Sequence, residues 1–208
     1  CVHLGGMPCE LDEIVLIAKE KKLFLIEDCS QAHGAEYKNK KVGSFGDLSV
    51  WSFCTDKIIS TGGEGGMICT NSSNLHNRVA ALRNHGRSNL NNGIDSSVGF
   101  KWTVDLFGTN SRLTEMQSAV GLGQLRRLSE MLSLRQDNAQ KIRAVAKRFD
   151  VFRVPEVHDY VKHAWYKCIL YVKPDQLVSN WSRDRIVEEI IARGVPCFTG
   201  GCPEIYLE

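Results

Sequence analysis

Leu23-Phe24-Leu25-Ile26-Glu27-Asp28 is the stretch on which the fold turns. Four apolar residues in a row, closed by two acids, read as a short buried strand, because a strand covered on both faces shows a run rather than an alternation. Upstream, residues 10–22 place Leu11, Ile14, Val15 and Ala18 on one helical face and end in Lys19, Lys21 and Lys22, which suits the negative end of a helix. Downstream, residues 47–53 and 67–70 read as two further strands, and 72–85 as a helix. Residues 88–109 are polar and irregular. A long helix follows from Leu113, where Leu113, Met116, Val120, Leu125, Leu128 and Leu132 recur at near-helical spacing. Beyond Asp150, 165–172 read as a strand, 182–193 as a helix capped by Ser182 and stopped by Gly194, and 195–198 as another strand. Strands and helices alternate, so the class is α/β. The change of character between 133 and 150 divides the chain into a larger domain, 1–135, and a smaller one, 136–208.

The bulk composition narrows the function. A chain of 208 residues with 43% hydrophobic and 24% charged residues is that of an ordinary globular protein, which excludes disorder and collagen-like repeats. A net charge of +2 argues against a nucleic-acid or membrane-surface partner. No apolar run approaches the ~20 residues that cross a bilayer, and no signal-peptide pattern opens the chain. The eight cysteines form no C-x-x-C pair, so they are read as reduced thiols of a cytoplasmic protein and not as a metal site. The chain opens on Cys1 and ends at Tyr206-Leu207-Glu208, which leads to the expectation of a piece of a longer protein.

Two residues stand where chemistry is expected. Asp28 closes the first strand, and ligands of open α/β sheets bind at the carboxyl ends of strands. It either caps the following turn or pairs with a cationic ring nitrogen. Lys57 follows the strand 47–53 and precedes the loop Thr61-Gly62-Gly63-Glu64-Gly65-Gly66, whose glycines allow close backbone approach. It is either a solvated surface charge or a partly desolvated amine. Beside another cationic group, such an amine would have a lowered pKa and attack a carbonyl in its neutral form. The glycine loop lacks the G-x-x-x-x-G-K-[ST] order of a triphosphate-binding loop and the G-x-G-x-x-G of a dinucleotide fold.

Four blocks in order make the chain recognisable: Ile26-Glu27-Asp28-Cys29-Ser30-Gln31-Ala32-His33-Gly34; Val42-Gly43-Ser44-Phe45-Gly46-Asp47; Ser52-Phe53-Cys54-Thr55-Asp56-Lys57 with Gly62-Gly63-Glu64-Gly65-Gly66; and Gly108-Thr109-Asn110-Ser111-Arg112-Leu113-Thr114-Glu115. Together they resemble the DegT/DnrJ/EryC1/StrS family of sugar aminotransferases dependent on pyridoxal 5'-phosphate. The resemblance implies fold type I of these transferases (aspartate aminotransferase-like). Residues 1–135 would then be the C-terminal part of the large cofactor-binding domain and 136–208 the start of the small one.

The same resemblance implies roles. Lys57 matches the lysine that forms the Schiff base with the cofactor, and Asp28 the acid that keeps the pyridine nitrogen protonated, which makes the ring an electron sink. Gln31 matches the residue beside the phenolic oxygen, and Ser52 a hydroxyl on the phosphate. Asn110 matches an asparagine that reaches the neighbouring subunit's cofactor, so a homodimer with shared active sites is implied. Each also has a local reading: Gln31 as a helix cap, Ser52 as partner of a nearby backbone group, Asn110 as a turn residue. Arg112 and His163 are candidate substrate contacts, while His33 and Glu64 read as local structure. The implied reaction moves an amino group from glutamate to a nucleotide-linked keto sugar. The ending Gly201-Cys202-Pro203-Glu204-Ile205-Tyr206 points towards surface polysaccharide. A sugar dehydratase of the same family carries histidine where this chain has Lys57. A non-catalytic regulatory protein on the same fold is the other alternative. Ser111 departs from the tyrosine of many members. The cofactor-gripping segment that members carry ahead of Cys1 is missing, so the chain alone is expected to be inactive.

Overall fold

The computed structural model describes residues 1–87, 104 and 106–201, and in it Asp47 clamps Leu25 twice. Asp47 Oδ2 accepts from the Leu25 N–H at 2.8 Å, and the Asp47 N–H donates to the Leu25 carbonyl at 2.8 Å. Pairing therefore opens one residue later. β1 (Ile26–Asp28) lies parallel to β4 (Leu48–Ser52), with Ile26 opposite Leu48 and Asp28 opposite Val50. β4 pairs antiparallel with β5 (Gly66–Cys69). This corrects the reading of 23–26 as a buried strand. The Leu25 backbone is spent on Asp47, the strand shifts to Ile26–Asp28, and Phe24 is 81% exposed.

The buried member of β1 is a charge. Glu27 is fully buried, yet its carboxylate is saturated. Oε1 accepts from the Phe45 and Gly46 N–H groups, each at 2.7 Å, and Oε2 from Gly43 N–H at 2.7 Å and His3 Nε2 at 3.2 Å. Burial alone would raise its pKa. The hydrogen bonds from His3 and from the backbone of Gly46, Gly43 and Phe45 outweigh burial and hold it below the ordinary glutamate value. His3 Nδ1 accepts from Cys9 N–H at 3.1 Å, which leaves Nε2 as the nitrogen that donates to Glu27. One carboxylate thus ties β1 to the turn 43–46. His3, Glu27 and Cys29 bring donor atoms within 4.8 Å of one another, but the protein's own donors already fill the carboxylate.

The chain falls into two compact units, Cys1–Gln136 with His158–Tyr166, and Asp137–Val157 with Lys167–Glu208. In the first, β2 (Glu36–Tyr37) and β3 (Lys40–Lys41) form a hairpin whose two turn residues, Lys38 and Asn39, have φ of 48° and 63°, the left-handed pair that a two-residue turn needs. β7 (Val161–Lys162) pairs with the other side of β2 and so brings segment 158–166 into this unit. The core gathers Leu11 of α1 (Leu11–Glu20), Cys29, Ala32, Ala35, Tyr37, Ile58 and Tyr166, packed by Leu128 and Leu132 of α3 (Glu115–Ala146). Gly34 has φ 82°, a left-handed conformation that favours glycine, and a Cβ there would sit 2.3 Å from Leu132 Cδ1 and displace that side chain. α2 (Ser73–Arg83) is capped by Ser72, whose Oγ accepts from Leu75 N–H at 3.4 Å. The unit boundary falls inside α3.

In the second unit the end of α3 buries Ala139, Arg143 and Ala146, and Arg143 Nη1 donates to the Pro155 carbonyl at 2.7 Å. β6 (Phe152–Arg153) pairs with β8 (Tyr171–Val172). α4 (Arg183–Ala192) starts as the sequence implies, with Ser182 Oγ accepting from Arg185 N–H at 3.1 Å. Two expected strands do not form as read. Of 165–172 only Tyr171 and Val172 pair, because Trp165 has φ 52° and turns the chain. Residues 195–198 form none: the Val195 N–H returns to the Ile190 carbonyl at 3.3 Å, and Pro196 has no N–H to offer. Of the irregular stretch 88–109, residues 88–103 and 105 lie outside the described residues, as does 202–206 of the ending. The seven described cysteines are free. Among the described residues no helix is long and apolar enough to cross a membrane.

Candidate active site

Lys57 rides on a loop that is closed at its base and anchored in its middle. The Phe53 N–H donates to the Gly65 carbonyl at 2.7 Å and the Thr61 N–H to the Phe53 carbonyl at 3.1 Å. Ile58 and Ile59 are 3% and 5% exposed, so the two residues after the lysine pin the loop into the protein. The Lys57 side chain is consequently only 16% exposed. Its Nζ lies 3.4 Å from Tyr166 Oη and 3.4 Å from Asp56 Oδ1. Tyr166 Oη donates to Asp56 Oδ2, and Cys54 Sγ donates to Asp56 Oδ1 at 2.7 Å.

This geometry corrects the expected charge environment of Lys57. No cation faces it among the groups that shift its titration. Burial alone would lower its pKa, but the Tyr166 hydrogen bond and the charges of Tyr166, Asp56 and Cys54 outweigh burial and raise it. Hydrogen bonds from Cys54 and Tyr166, with the Lys57 ammonium, hold Asp56 well below the usual carboxylate range. Burial and the Asp56 bond push the Tyr166 hydroxyl up.

The other expected residues fall into three places. Asp28 and Ser52 end the parallel neighbours β1 and β4, at the same edge from which the Lys57 loop departs. Asp28 Oδ1 accepts from Ser30 N–H at 2.9 Å, and Ser52 Oγ from Cys54 N–H at 3.4 Å. Gln31, just past β1, accepts from Gly5 N–H at 2.7 Å through Oε1. Asn110 and Arg112 form an exposed pair, Arg112 Nε donating to Asn110 Oδ1 at 2.9 Å, with Asn110 bridged to Asn84. His163 stacks on Trp165 at 3.9 Å, and its Nδ1 accepts from Trp165 N–H at 2.8 Å. The local readings of Asp28 and Ser52 are thus realised, whereas Gln31 caps no helix, because none follows β1, and reaches back to Gly5 instead. Asp28 Oδ2 and Gln31 Nε2 make no hydrogen bond among the described residues, and the Ser52 hydroxyl still has its proton to donate.

Sequence reasoning passed over Asp56, Tyr166 and His33. An acid directly before the lysine was visible in the sequence; Tyr166 gave no signal. His33 was read as local structure, yet it is 2% exposed with both ring nitrogens unpartnered, between Trp51 at 5.3 Å and Phe53 at 5.9 Å. Burial drives its pKa down to about 4, against a pull from the Ser52 backbone that falls outside hydrogen-bond geometry, and the Lys57 charge pushes the same way as burial.

These donors fit pyridoxal phosphate. The set comprises a primary amine sheltered from water, a carboxylate with a spare oxygen, an amide and a hydroxyl with spare donors, and a buried imidazole without a partner. Of these, the His33 ring nitrogens are both buried and unpaired, and such groups are rare enough to call for a partner.

The chain matches the model of the DegT/DnrJ/EryC1/StrS aminotransferase family over residues 1–199, and it belongs to that family. It is 34% identical over 202 residues to a dTDP-3-amino-3,6-dideoxy-alpha-D-galactopyranose transaminase of Aneurinibacillus thermoaerophilus, which covers 94% of this chain and 50% of that protein. It is 34% identical over 172 residues to the spore coat polysaccharide biosynthesis protein SpsC of Bacillus subtilis, 82% of this chain and 44% of that protein. An X-ray structure of an aminotransferase from Psychrobacter cryohalolentis superposes with a TM-score of 0.95 at 44% identity, over 100% of this chain and 55% of that one. The chain has the α/β fold of these aminotransferases and spans about half the length of the relatives it matches.

Proposed function

We propose that the full-length protein is a sugar aminotransferase that binds pyridoxal 5'-phosphate on Lys57 and transfers an amino group from glutamate to a nucleotide-linked keto sugar. The observation that carries this reading is a sheltered Lys57 on an anchored loop, leaving the edge where Asp28 and Ser52 end adjacent parallel strands. The bound cofactor supplies an electron sink for the charge that develops on the donor carbon. Asp28 holds the ring nitrogen in its charged form, Gln31 offers its free amide N–H to the phenolic oxygen, and Ser52 its hydroxyl to the phosphate. With the cofactor bound, Lys57 Nζ would take the proton from the amino donor's α-carbon and deliver it to the cofactor carbon that bears the nitrogen, and a positioned base of this kind contributes roughly 10²–10⁴-fold.

Family membership supports the reaction class, and the names of the relatives support a nucleotide-linked sugar and a place in polysaccharide biosynthesis. Asn110 serves the cofactor of a second subunit in a homodimer, and Arg112 and His163 meet the substrate; the exposure of Asn110 and Arg112 is compatible with both roles. The division of the chain after Gln136 supports reading 1–135 as part of the large cofactor-binding domain and 136–208 as part of the small one, with 158–166 packed on the former.

The test uses full-length protein incubated with pyridoxal phosphate, reduced with borohydride and mapped by mass spectrometry. A pyridoxyl adduct on Lys57 is expected. A folded protein that leaves Lys57 unmodified sinks the reading.

A further inference from the structure

Lys57 is one corner of a polar cluster drawn from two distant parts of the chain. Asp56 faces it through Oδ1 at 3.4 Å, Tyr166 through its hydroxyl at 3.4 Å, and the Tyr166 hydroxyl also binds Asp56 Oδ2. Cys54, two residues earlier, donates to the same carboxylate through Sγ at 2.7 Å. Asp56 is thus fixed by two donors before it meets the lysine, although its own side chain is 55% exposed. Tyr166 is held as well. It is 8% exposed, and it follows Trp165, whose φ of 52° is a left-handed conformation unusual for a bulky residue. Gly6 accepts from Ala164 N–H at 2.9 Å and lies so close that a Cβ on it would come within 3.0 Å of the Tyr166 backbone nitrogen. Strain of this kind persists where the surroundings hold a side chain in place, and here it aims the tyrosine at Lys57.

We propose that Asp56, held by Tyr166, is a positioning residue for Lys57: the carboxylate and the hydroxyl fix the lysine amine at one point and balance its charge whenever that amine is not bonded to cofactor. The inference rests on the reading of Lys57 as the cofactor lysine. Its consequence is directional. A lysine beside a fixed carboxylate is a stronger base than an isolated buried one, and the proton it takes from a donor carbon is held against the same counter-charge between transfers. The titratable groups facing Lys57 are Asp56, Tyr166 and Cys54, and His33 feels its charge. His33 stays uncharged above about pH 4, so it adds no competing positive charge near neutrality.

The experiment is competitive acetylation of cofactor-free full-length protein across pH, with Lys57 labelling read by mass spectrometry. Asp56→Asn keeps the shape and removes the charge, and its labelling midpoint is expected to fall by roughly one pH unit relative to wild type. Asp56→Glu, which keeps the charge, is expected to restore most of that shift. An unchanged Lys57 midpoint in Asp56→Asn overturns the proposal, even where the borohydride adduct on Lys57 forms. Absence of the adduct with a shifted midpoint overturns the cofactor reading instead and leaves the charge coupling standing.

Discussion

The Tyr166 hydroxyl donates to Asp56 Oδ2 across 110 residues of sequence. Segment 158–166 therefore helps to build the surroundings of Lys57: it returns to the first unit through β7, reverses at Trp165 and delivers a buried aromatic hydroxyl to the lysine loop. The same relationship explains why the Lys57 pKa is raised when burial alone would lower it.

Asp28→Asn separates chemistry from folding. Asparagine can still accept from Ser30 N–H through Oδ1, so the local turn survives and stability should move by less than about 0.5 kcal/mol. The negative charge is lost, and with it, on the proposed function, the partner of a protonated ring nitrogen. Activity of the full-length protein with pyridoxal phosphate should drop by roughly 10²–10³-fold, the scale of removing one preorganised electrostatic contact. Steady-state kinetics and a urea melt of the same preparation check both halves.

Glu27→Gln should be severe for stability. One carboxylate oxygen becomes an NH₂ that faces donors instead of receiving them, and the cost is about 3 kcal/mol. The acid sensitivity should change too. Glu27 is held below its ordinary value of 4.5 in the folded chain, so as pH falls the unfolded chain takes up that proton first, and stability drains below about pH 4.5. The gap between wild type and Glu27→Gln in urea midpoints should be full at pH 7 and narrow at pH 3.5.

His33 acts in a higher pH window. Its ordinary value of 6.5 falls to about 4 in the folded chain, so the unfolded chain binds the proton first between those limits. The lost stability should total roughly 3 kcal/mol from pH 7 down to pH 4 in the absence of cofactor. His33→Leu should flatten this part of the profile. A variant whose urea midpoint falls as steeply as wild type from pH 7 to 5 would show that another group is responsible.

Ser182→Ala removes the side-chain cap of α4 and should cost about 1 kcal/mol. The loss should appear as faster hydrogen exchange of the first-turn amides of α4, with the exchange of β4 unchanged, since the two elements belong to different units.

Local chemistry was enough to read several features. Ser182 caps α4 and Gly194 stops it because capping is settled within four residues. The strand 48–52 and the helix from Glu115 follow from short-range periodicity. The four motif blocks carried the family, the cofactor expectation and the candidate roles of Lys57 and Asp28. Other features depended on distant partners. The apolar run at 23–26 is not the buried strand, because Asp47 takes the Leu25 backbone from 22 residues away. The expected strand from Trp165 breaks on a left-handed backbone that local propensity disfavours. Whether Lys57 would be acid-shifted or base-shifted, and that Glu27 could be buried as a charge, depended on which groups face them in space. Electrostatic shifts fall off within a few ångströms, so they are set by the side chains that folding brings together; in this protein Tyr166 is brought to Asp56 and Lys57, and His3 and the 43–46 turn to Glu27.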